Sequence, residues 1–435
     1  MKTGSLISIP ESIQENIFRY RLSHFLKEQG KAHSGNQSAL VERIESNSGD
    51  DNFRNKFMEF VIEEISNGKN RQIYLSRFEI ANLAVLRHLI SVQSNLEAAG
   101  YPNKNFNSFL KPEPEDGEMI YLNIVNENED TDIAKIKVRK IEMCFYKIIK
   151  SMEDEVTEEI SKDYVWVEIN PSEQLLIFKI RPHNQHYRTN YYTSKKTYES
   201  VFLILKSIFP LKIINMEYIK GVFFKIFSEL TEIAEQPYRE QLTPYNEMIN
   251  EFQNSVLEQI GITNADDVKE ITIRYKRLIE RHLIIRDLDN YLAFHTNRKG
   301  IVERISLTDL SGASANVLSG DGDGLDVADI YFDIRETIEG MKRLDKLWVK
   351  WFLFDHEVQE MQEMQTQIQF FEEGENQLVE EDASVEDTRA VKTRFEVTKD
   401  YVIINFLKQY WISKEVQDHV LSTFIEFEEK TNQQS

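Results

Sequence analysis

The spacing of hydrophobic residues near the start of the chain predicts two short helices that face each other. The apolar stripes consist of Phe18, Leu22, Phe25 and Leu26 in the first helix and of Leu40, Val41 and Ile44 in the second. Gly30 predicts the end of the first helix, because glycine enters the left-handed conformation of a helix C-terminus without steric cost. Either Ser34, paired with Gln37 in a capping box, or Asn36 alone is the predicted N-cap of the second helix. Two helices of this size bury little surface, which predicts a module of marginal independent stability.

The apolar pattern changes its period several times along the rest of the chain. Helices are predicted over 53–66, 77–98, 194–209, 221–234, 239–260, 343–354 and 413–429, and a further helix starts at a capping box at 263–266. Strands are predicted over 119–125, 133–141, 164–169, 174–181, 291–295, 301–307, 330–337 and 395–406, with a hairpin turn at 170–173. This mixture predicts an α+β fold, in which a small N-terminal helical module precedes a multi-domain body of mixed sheets and amphipathic helices.

Breaks in composition divide the chain into six predicted regions. The polar stretch 46–51 is the predicted linker behind the N-terminal module, and a proline-rich loop ends at 117. The regions are a two-helix module at 1–50, a helical region with the proline-rich loop at 51–117, an α+β domain at 118–235, a second α+β region at 236–354, an acidic linker at 355–392 and a strand-helix element at 393–435.

The net charge of the chain is concentrated in one segment. The sequence holds 52 basic and 73 acidic residues, for a formal net charge of −21. Between Asp355 and Asp387 there are twelve acidic residues and no lysine or arginine, so more than half of the imbalance lies in the acidic linker. The charge therefore excludes a polybasic coat over the whole protein, but it does not exclude local contact with DNA.

The number of cysteines and the hydropathy of the chain indicate in which cellular compartment the protein is expected. Cys144 is the single cysteine, so no intramolecular disulfide can form. The N-terminus lacks the basic-then-apolar pattern of a signal peptide, and no apolar run approaches the ~18 residues that span a bilayer. We therefore expect an intracellular protein, cytoplasmic or associated with the nucleoid or nucleus, that makes no contact with a membrane.

Residues 17–45 resemble the SAP family of small helix-extended-helix modules that bind DNA. The resemblance rests on Leu22 and Leu26, then Gly30, then Ser34-Gly35-Asn36, then Leu40-Val41-Glu42-Arg43-Ile44, in the order and at the intervals of the family. Two positions depart from the pattern. Lys31 stands where an apolar residue usually follows the first glycine, and Gln37 stands where a lysine is common.

The resemblance implies that backbone amides and basic side chains around the start of the second helix bind DNA. Helix N-termini favour phosphate oxygens, because their amides are free and the helix dipole is positive there. The residues that the resemblance implies are Ser34, Gly35, Asn36 and Arg43, with Arg19, Arg21 and Lys27 as contacts from the solvent side of the first helix.

A second candidate nucleic-acid surface follows the predicted hairpin. Residues 174–198 contain no acidic side chain, although the chain as a whole is acidic. Interleaved cations and aromatic rings can hold phosphates and stack on bases. The candidate residues are Lys179, Arg181, Arg188, Tyr191, Tyr192, Lys195 and Lys196. The alternative is a long solvated loop whose tyrosines pack on the edge of the sheet.

The sequence contains no catalytic motif, zinc-ligand set or dinucleotide-binding fingerprint, so it predicts no cofactor and no metal site. Three functions stay open. The first is a non-enzymatic DNA-associated protein, in which the N-terminal module tethers the α+β body to DNA. The second is a divalent-metal-dependent nuclease, an effector of a defence or mobile-element system. The third is a protein-interaction scaffold without DNA contact. The apolar helix predicted at 344–354 also suggests a protein partner or self-association.

Overall fold

The structure is a computed structural model, and it describes residues 6–68, 71–152, 158–182, 194–287, 298–309, 311–320, 324–353, 390–407 and 411–433. The chain folds as an α+β protein with two compact units. Unit 1 comprises Met1–Met216, Gln359–Glu386 and Thr398–Asp418, and unit 2 comprises Glu217–Val358, Asp387–Val397 and His419–Ser435.

Unit 1 is built on an antiparallel sheet. Its strands are β1 (Gln72–Glu79), β2 (Phe106–Asn107), β3 (Met119–Asn126), β4 (Val138–Met152), β5 (Glu158–Asn170), β6 (Leu175–Ile180), β7 (Lys212–Ile213) and β12 (Val402–Phe406). They lie in the order β2-β3-β4-β5-β6-β1-β12, and β7 pairs with β1. The turn predicted at 170–173 is confirmed, because Asn170 pairs with Leu175 where β5 turns into β6.

Helices cover both faces of this sheet. They are α1 (Glu11–Asn16), α2 (Arg19–Glu28), α3 (Gln37–Asn47), α4 (Asp51–Asn67), α5 (Ala84–Arg87), α6 (Leu89–Ala98) and α7 (Ser194–Ile208). Because side chains alternate along a strand, neighbouring residues of β4 enter different cores. Phe145 packs in the core beneath α6 and α7, whereas Cys144 and Tyr146 pack in the core beneath α1 to α4. The sheet therefore divides unit 1 into two hydrophobic layers.

Unit 2 has a second antiparallel sheet and a group of longer helices. Its strands are β8 (Gly300–Thr308), β9 (Ser314–Leu318), β10 (Lys346–Phe352) and β11 (Ala390–Val397), in the order β9-β8-β10-β11. Its helices are α8 (Ile219–Leu242), α9 (Asn246–Gln259), α10 (Ala265–Arg286) and α11 (Asp329–Met341). The last helix, α12 (Lys414–Asn432), contributes its residues from His419 onwards to unit 2. In the part of the chain that the structure describes, no helix combines the length and the apolar character needed to cross a membrane.

Several predicted elements are wrong, and each error has a physical reason. Residues 346–352, within the helix predicted at 343–354, form strand β10 instead, since Leu347, Val349 and Trp351 alternate into the core while Trp348 makes the outer face apolar as well. Residues 330–337 lie in helix α11 instead of a strand, with Tyr331 and Ile338 on its buried side. The support that 344–354 gave to self-association is therefore lost, and association with a partner stays a prediction.

Other predicted boundaries also move. The helix predicted at 77–98 is replaced by the end of β1 followed by α5 and α6, and residues 133–135 form a 3-10 turn ahead of β4. Helix α8 continues through Pro237, where a break was predicted, and both Glu235 before the proline and Tyr238 after it are buried. Asn264, and not Thr263, caps α10. The strand predicted at 291–295 and the acidic residues 355–387 lie outside the described ranges.

The division of the chain differs from the six predicted regions. The N-terminal helices are part of unit 1, because their apolar residues share one core with Trp166 and other sheet residues. The predicted linker 46–51 belongs largely to α3 and α4, and only residues 48–50 connect the two helices, with Asp50 as the N-cap of α4. The predicted boundary at 235 falls inside α8.

Candidate nucleic-acid interface

The two helices that resemble the SAP module are joined by a turn that glycine makes possible. Gly30 has a φ of +65°, and the Lys31 N–H donates to the Leu26 carbonyl at 2.8 Å, which closes the C-terminus of α2. Of the two predicted caps, Asn36 is the one formed, since its Oδ1 accepts from the Ala39 N–H at 3.0 Å. The prediction of a helix end at Gly30 and of a capped second helix is confirmed.

Hydrogen bonds to its carbonyls fix the connection between α2 and α3. Arg43 Nη1 donates to the carbonyls of Ser34 and Ala32, the latter at 3.4 Å. Ser23 Oγ donates to the His33 carbonyl at 2.6 Å. Arg43 was expected to contact DNA, but here it satisfies carbonyls of the loop, so it acts as a positioning residue for residues 31–36.

The outer surface of this loop is open to solvent. Ser34, Gly35 and Asn36 are exposed, as are the side chains of Lys27 and Lys31. Among the residues that the structure describes, the N–H groups of Gln37 and Ser38 have no acceptor. The loop therefore leads to unsatisfied amides at the positive end of a helix, and two exposed lysines belong to the same two-helix segment.

Arg21 is not available to DNA, which corrects the sequence-based expectation. Its side chain is 11% exposed, its Nε donates to Glu64 Oε1 at 2.6 Å, and its guanidinium carbon lies 3.9 Å from the centre of the Trp411 ring. Burial raises the pKa of Glu64, and the charge of Arg21 acts in the opposite direction. Arg21 was assigned to the solvent side of α2 because it is charged, but its partners come from distant parts of the sequence. Arg19 is half-buried.

Lys179, the first residue of the second candidate surface, is also buried and paired. Lys179 is 3% exposed, its Nζ donates to Asn67 Oδ1 at 2.6 Å and it lies 3.2 Å from Glu168 Oε1. Arg181 lies half-buried, with Nη1 3.5 Å from Asn16 Oδ1. Lys179 is therefore part of the interior of unit 1, and β6 does not carry it to an open surface.

Of the remaining residues of this second surface, two are exposed on α7 and three lie outside the described ranges. Lys195 and Lys196 are exposed in the first turn of α7, and Lys195 Nζ lies 3.8 Å from Glu199. Arg188, Tyr191 and Tyr192 lie outside the described ranges. The structure therefore brings no complete surface together from the predicted set.

The strands of unit 1 carry a network of paired charges around Glu168. Lys140 Nζ lies 2.6 Å from Glu168 Oε2 and 2.9 Å from Glu142 Oε1, while Lys179 contacts the other oxygen of Glu168. Burial opposes the charge of Glu168, but the two lysines outweigh it and lower the pKa of Glu168 to about 2. The charges of this network are matched, which is typical of a structural role.

Within the described ranges, no group of three His, Cys, Asp or Glu side chains is placed to hold a metal ion. Glu168 and Lys179 do contact each other, but as an ion pair at 3.2 Å. The nuclease alternative gains no support from this arrangement.

Lys31 is the residue that sequence reasoning undervalued. It was treated as a departure from the family pattern, yet it is exposed directly after the turn at Gly30, with Nζ 5.9 Å from the centre of the Phe53 ring. Its position beside the loop was the available signal, because a cation that replaces an apolar residue there adds a charge to the surface where DNA binding is expected.

Comparison with known proteins gives no further assignment. No protein-family model matches the sequence, and no curated protein matches it either.

Proposed function

We propose that this chain is a DNA-associated protein in which residues 17–45 bind the phosphate backbone and tether a non-enzymatic α+β body. The observation that carries the proposal is the exposed loop 31–36, which contains Lys31, follows the exposed Lys27 of α2 and leaves the N–H groups of Gln37 and Ser38, at the start of α3, without an acceptor among the described residues. Amides at a helix N-terminus and flexible lysines are common phosphate ligands.

Local electrostatics support this role despite the negative charge of the whole chain. Two of the acidic side chains of the module have partners of their own: Glu28 lies 3.0 Å from His24, and Glu45 Oε1 accepts from the Ile9 N–H at 2.7 Å. Arg43 and Ser23 donate to three carbonyls of the loop, so the partial negative charges of those carbonyls are partly offset near the phosphate-binding amides. Binding through such a surface reads the backbone and not the base sequence.

The test is salt-dependent binding by the full chain to labelled duplex and single-stranded DNA. We compare the wild type with Lys27→Gln/Lys31→Gln and with a control, Lys104→Gln/Lys137→Gln, which removes the same charge from exposed positions elsewhere in unit 1. Each lysine that neutralises a phosphate adds about 0.9 to the slope of log affinity against log salt on duplex DNA. We expect the Lys27/Lys31 variant to lose about 2 from that slope and the control to keep it.

The outcomes separate the three functions. Binding that the Lys27/Lys31 variant weakens and the control does not would support the proposal. Equal loss in both variants would overturn the assignment to residues 17–45. No binding at ~50 mM salt would leave the scaffold alternative, because phosphate contacts are strongest at low salt. Cleavage of the DNA on addition of Mg²⁺ would overturn the non-enzymatic reading in favour of a nuclease.

A further inference from the structure

Helix α9 and the residues that flank it carry a row of large hydrophobic side chains on their solvent side. Successive members lie three or four residues apart, which places them along one side of a helix. Single exposed hydrophobic residues are common, but a row of this length marks a surface that binds another macromolecule. This α9 row consists of Tyr245, Met248, Phe252, Val256 and Ile260, each between 40% and 65% exposed.

A different set of residues attaches α9 to unit 2. Ile249, Gln253 and Leu257 are its buried residues, and α9 packs against α10. The connection between the two helices is short, residues 260–264, which makes them antiparallel neighbours. The packing of the hairpin within unit 2 therefore does not account for the α9 row.

Helix α10 adds a second row. Its members are spaced alternately by three and four residues, as are the a and d positions of a heptad, which face a partner helix. Leu278 and Ile285 in this row are 48% and 43% exposed. Leu278 lies two residues from the buried Glu280, about 200° around the helix, so the row points away from the interior. This α10 row consists of Val268, Ile271, Tyr275, Leu278, His282 and Ile285.

One contact joins the two rows. The rings of Phe252 and Tyr275 lie 6.2 Å apart, centre to centre. Because Phe252 belongs to the α9 row and Tyr275 to the α10 row, the two rows lie next to each other on one side of the helical hairpin. We call this side, defined by the α9 row and the α10 row, the hairpin face.

The two halves of the hairpin face carry charges of opposite sign. Helix α9 has three glutamates and neither lysine nor arginine, whereas α10 has six basic and four acidic residues. Glu251 precedes Phe252 in the α9 row, and Arg274 precedes Tyr275 in the α10 row. Arg274 pairs with Glu270 of its own helix at 2.7 Å, but an exposed pair of this kind is weak and can be exchanged. The face is therefore complementary to a second copy of itself, with α9 of one copy against α10 of the other.

The size of the hairpin face also fits a dimer. Seven large hydrophobic side chains of the two rows are at least 40% exposed. At about 100 Å² for each half-exposed side chain, the face offers about 700 Å² of apolar surface. A standard interface buries about 800 Å² on each partner.

We propose that two copies of the chain associate through their hairpin faces as a two-fold symmetric dimer. In such a dimer the same surface serves both copies, and the two hairpins pack as a four-helix bundle. Charge favours this arrangement, because two α9 helices side by side would repel each other. The proposal goes beyond DNA binding, since the hairpin face belongs to unit 2 and residues 17–45 belong to unit 1.

Sedimentation equilibrium of the full chain without DNA tests the proposal. Interfaces of this size dissociate at about micromolar concentration or below. At ~50 µM chain we therefore expect a mass of twice the 51.2 kDa of one chain, and a decrease toward one chain on dilution.

Substitutions then assign the dimer to the hairpin face. Met248→Glu and Leu278→Glu each place a charge in the apolar interface and should weaken dimerisation about tenfold or more. The control Asn254→Glu adds the same charge to an exposed position of α9 outside the row, and should change the dissociation constant less than about twofold. Circular dichroism melting should show that all three variants fold, because each substituted side chain is exposed.

A mixing experiment tests which helices face each other. Glu251→Lys and Arg274→Glu each create like charges in both halves of the symmetric interface and should each weaken dimerisation. A mixture of these two variants restores opposite charges in one half and keeps the native pair in the other. We therefore expect the mixture to associate more tightly than either variant alone, and equal association would overturn the arrangement of α9 against α10.

Three other results would overturn the proposal. A monomer at ~200 µM chain would do so, since a standard interface is saturated there; this is the result expected if a different protein covers the hairpin face. The others are a dimer that Met248→Glu and Leu278→Glu leave intact, and an equal loss in Asn254→Glu. The Lys27→Gln/Lys31→Gln variant should dimerise as the wild type does, so this proposal and the DNA-binding proposal can fail separately.

Discussion

Arg21 on α2 donates a 2.6 Å hydrogen bond to Glu64 on α4, and both side chains are buried beside Trp411. Trp411 Nε1 donates to the same carboxylate oxygen at 3.2 Å. This contact joins the N-terminal helices to a residue near the other end of the chain, within unit 1. Because of this contact, Arg21, which the sequence suggests as a DNA-binding residue, belongs to the core.

Arg21→Ala should therefore unfold unit 1 more easily. The substitution leaves the Glu64 carboxylate buried without its cation, which typically costs about 3 to 5 kcal/mol. Urea denaturation followed by tryptophan fluorescence measures the change in the free energy of unfolding. Lys27→Ala, an exposed position on the same helix, is the control and should change it by less than about 0.5 kcal/mol.

If Arg21→Ala leaves the free energy of unfolding unchanged, the buried ion pair is contradicted and Arg21 is again a candidate surface residue. The expected cost also affects binding experiments. A variant that removes Arg21 loses DNA affinity through unfolding, so Lys27 and Lys31 are the better residues for testing phosphate contact.

The conformation of Gly30 gives a second prediction. Its φ of +65° is disfavoured for residues with a Cβ, although a Cβ at this position would meet no atom within 4 Å. Gly30→Ala should cost about 1 kcal/mol through backbone strain alone. Gly49→Ala, at a position that also has free space but no positive φ, should be neutral or slightly stabilising. Equal melting temperatures of the two variants would show that the turn after α2 does not require a left-handed residue.

Acid stability depends on Glu168. Its pKa is lowered from an ordinary value of 4.5 to about 2 by Lys179 and Lys140. A carboxyl group with a lowered pKa stabilises the fold fully above the unfolded value, and this contribution disappears as the pH falls through the folded value. We expect the free energy of unfolding to decrease by about 3 kcal/mol between pH ~4.5 and ~2 because of this group.

Chemical denaturation at several pH values checks this expectation. Glu168→Gln should show a flatter dependence on pH in that interval, with lower stability at neutral pH. Glu129→Gln, at an exposed position, should keep the slope of the wild type. If both variants follow the wild-type curve, the ion pairs around Glu168 contribute nothing to stability.

The strand assignment of 346–352 can be tested through Gly300. Gly300 in β8 pairs with Trp351 in β10, and a Cβ on Gly300 would lie 2.6 Å from the Lys350 carbonyl oxygen. Gly300→Ala must therefore displace backbone and should destabilise unit 2 by about 2 kcal/mol or more. Gly340→Ala in α11, where a Cβ meets nothing within 4 Å, should be stabilising by about 0.5 to 1 kcal/mol. Tolerance of Gly300→Ala in thermal denaturation would argue against the pairing of β8 with β10.

The sequence predicts this fold best where one side of an element is apolar and the other polar. The hairpin of β5 and β6 is buried on both faces, and it was predictable from its turn residues at 170–173 instead. The stripes of α2 and α3 do have one apolar and one polar side. Strand β10 does not, since Trp348 on its outer face is covered by the guanidinium of Arg304 at 4.5 Å. An apolar residue on each face conceals the alternation that marks a strand.

The candidate site was predictable only in its local part. Gly30 and Asn36 act through their own backbone and the next turn, so their roles follow from neighbouring residues. Arg21 and Lys179 act through Glu64, Trp411 and other partners that are far away in the sequence. Sequence patterns place charged side chains in solvent, because such residues are rarely buried. Only the tertiary fold shows that Arg21 and Lys179 have partners of opposite charge in the interior.

The reactivity of the single cysteine can report on the opening of the core under α1 to α4. Cys144 is fully buried there, and burial raises the pKa of its thiol. A thiol reagent attacks the thiolate, so modification requires an opening that exposes Cys144, either separation of the N-terminal helices from the sheet or unfolding of unit 1. The labelling rate under native conditions thus measures how often Cys144 becomes exposed. Because DNA bound to residues 17–45 would hold α2 and α3 together, it should slow the same reaction, and the chain needs no added probe to show it.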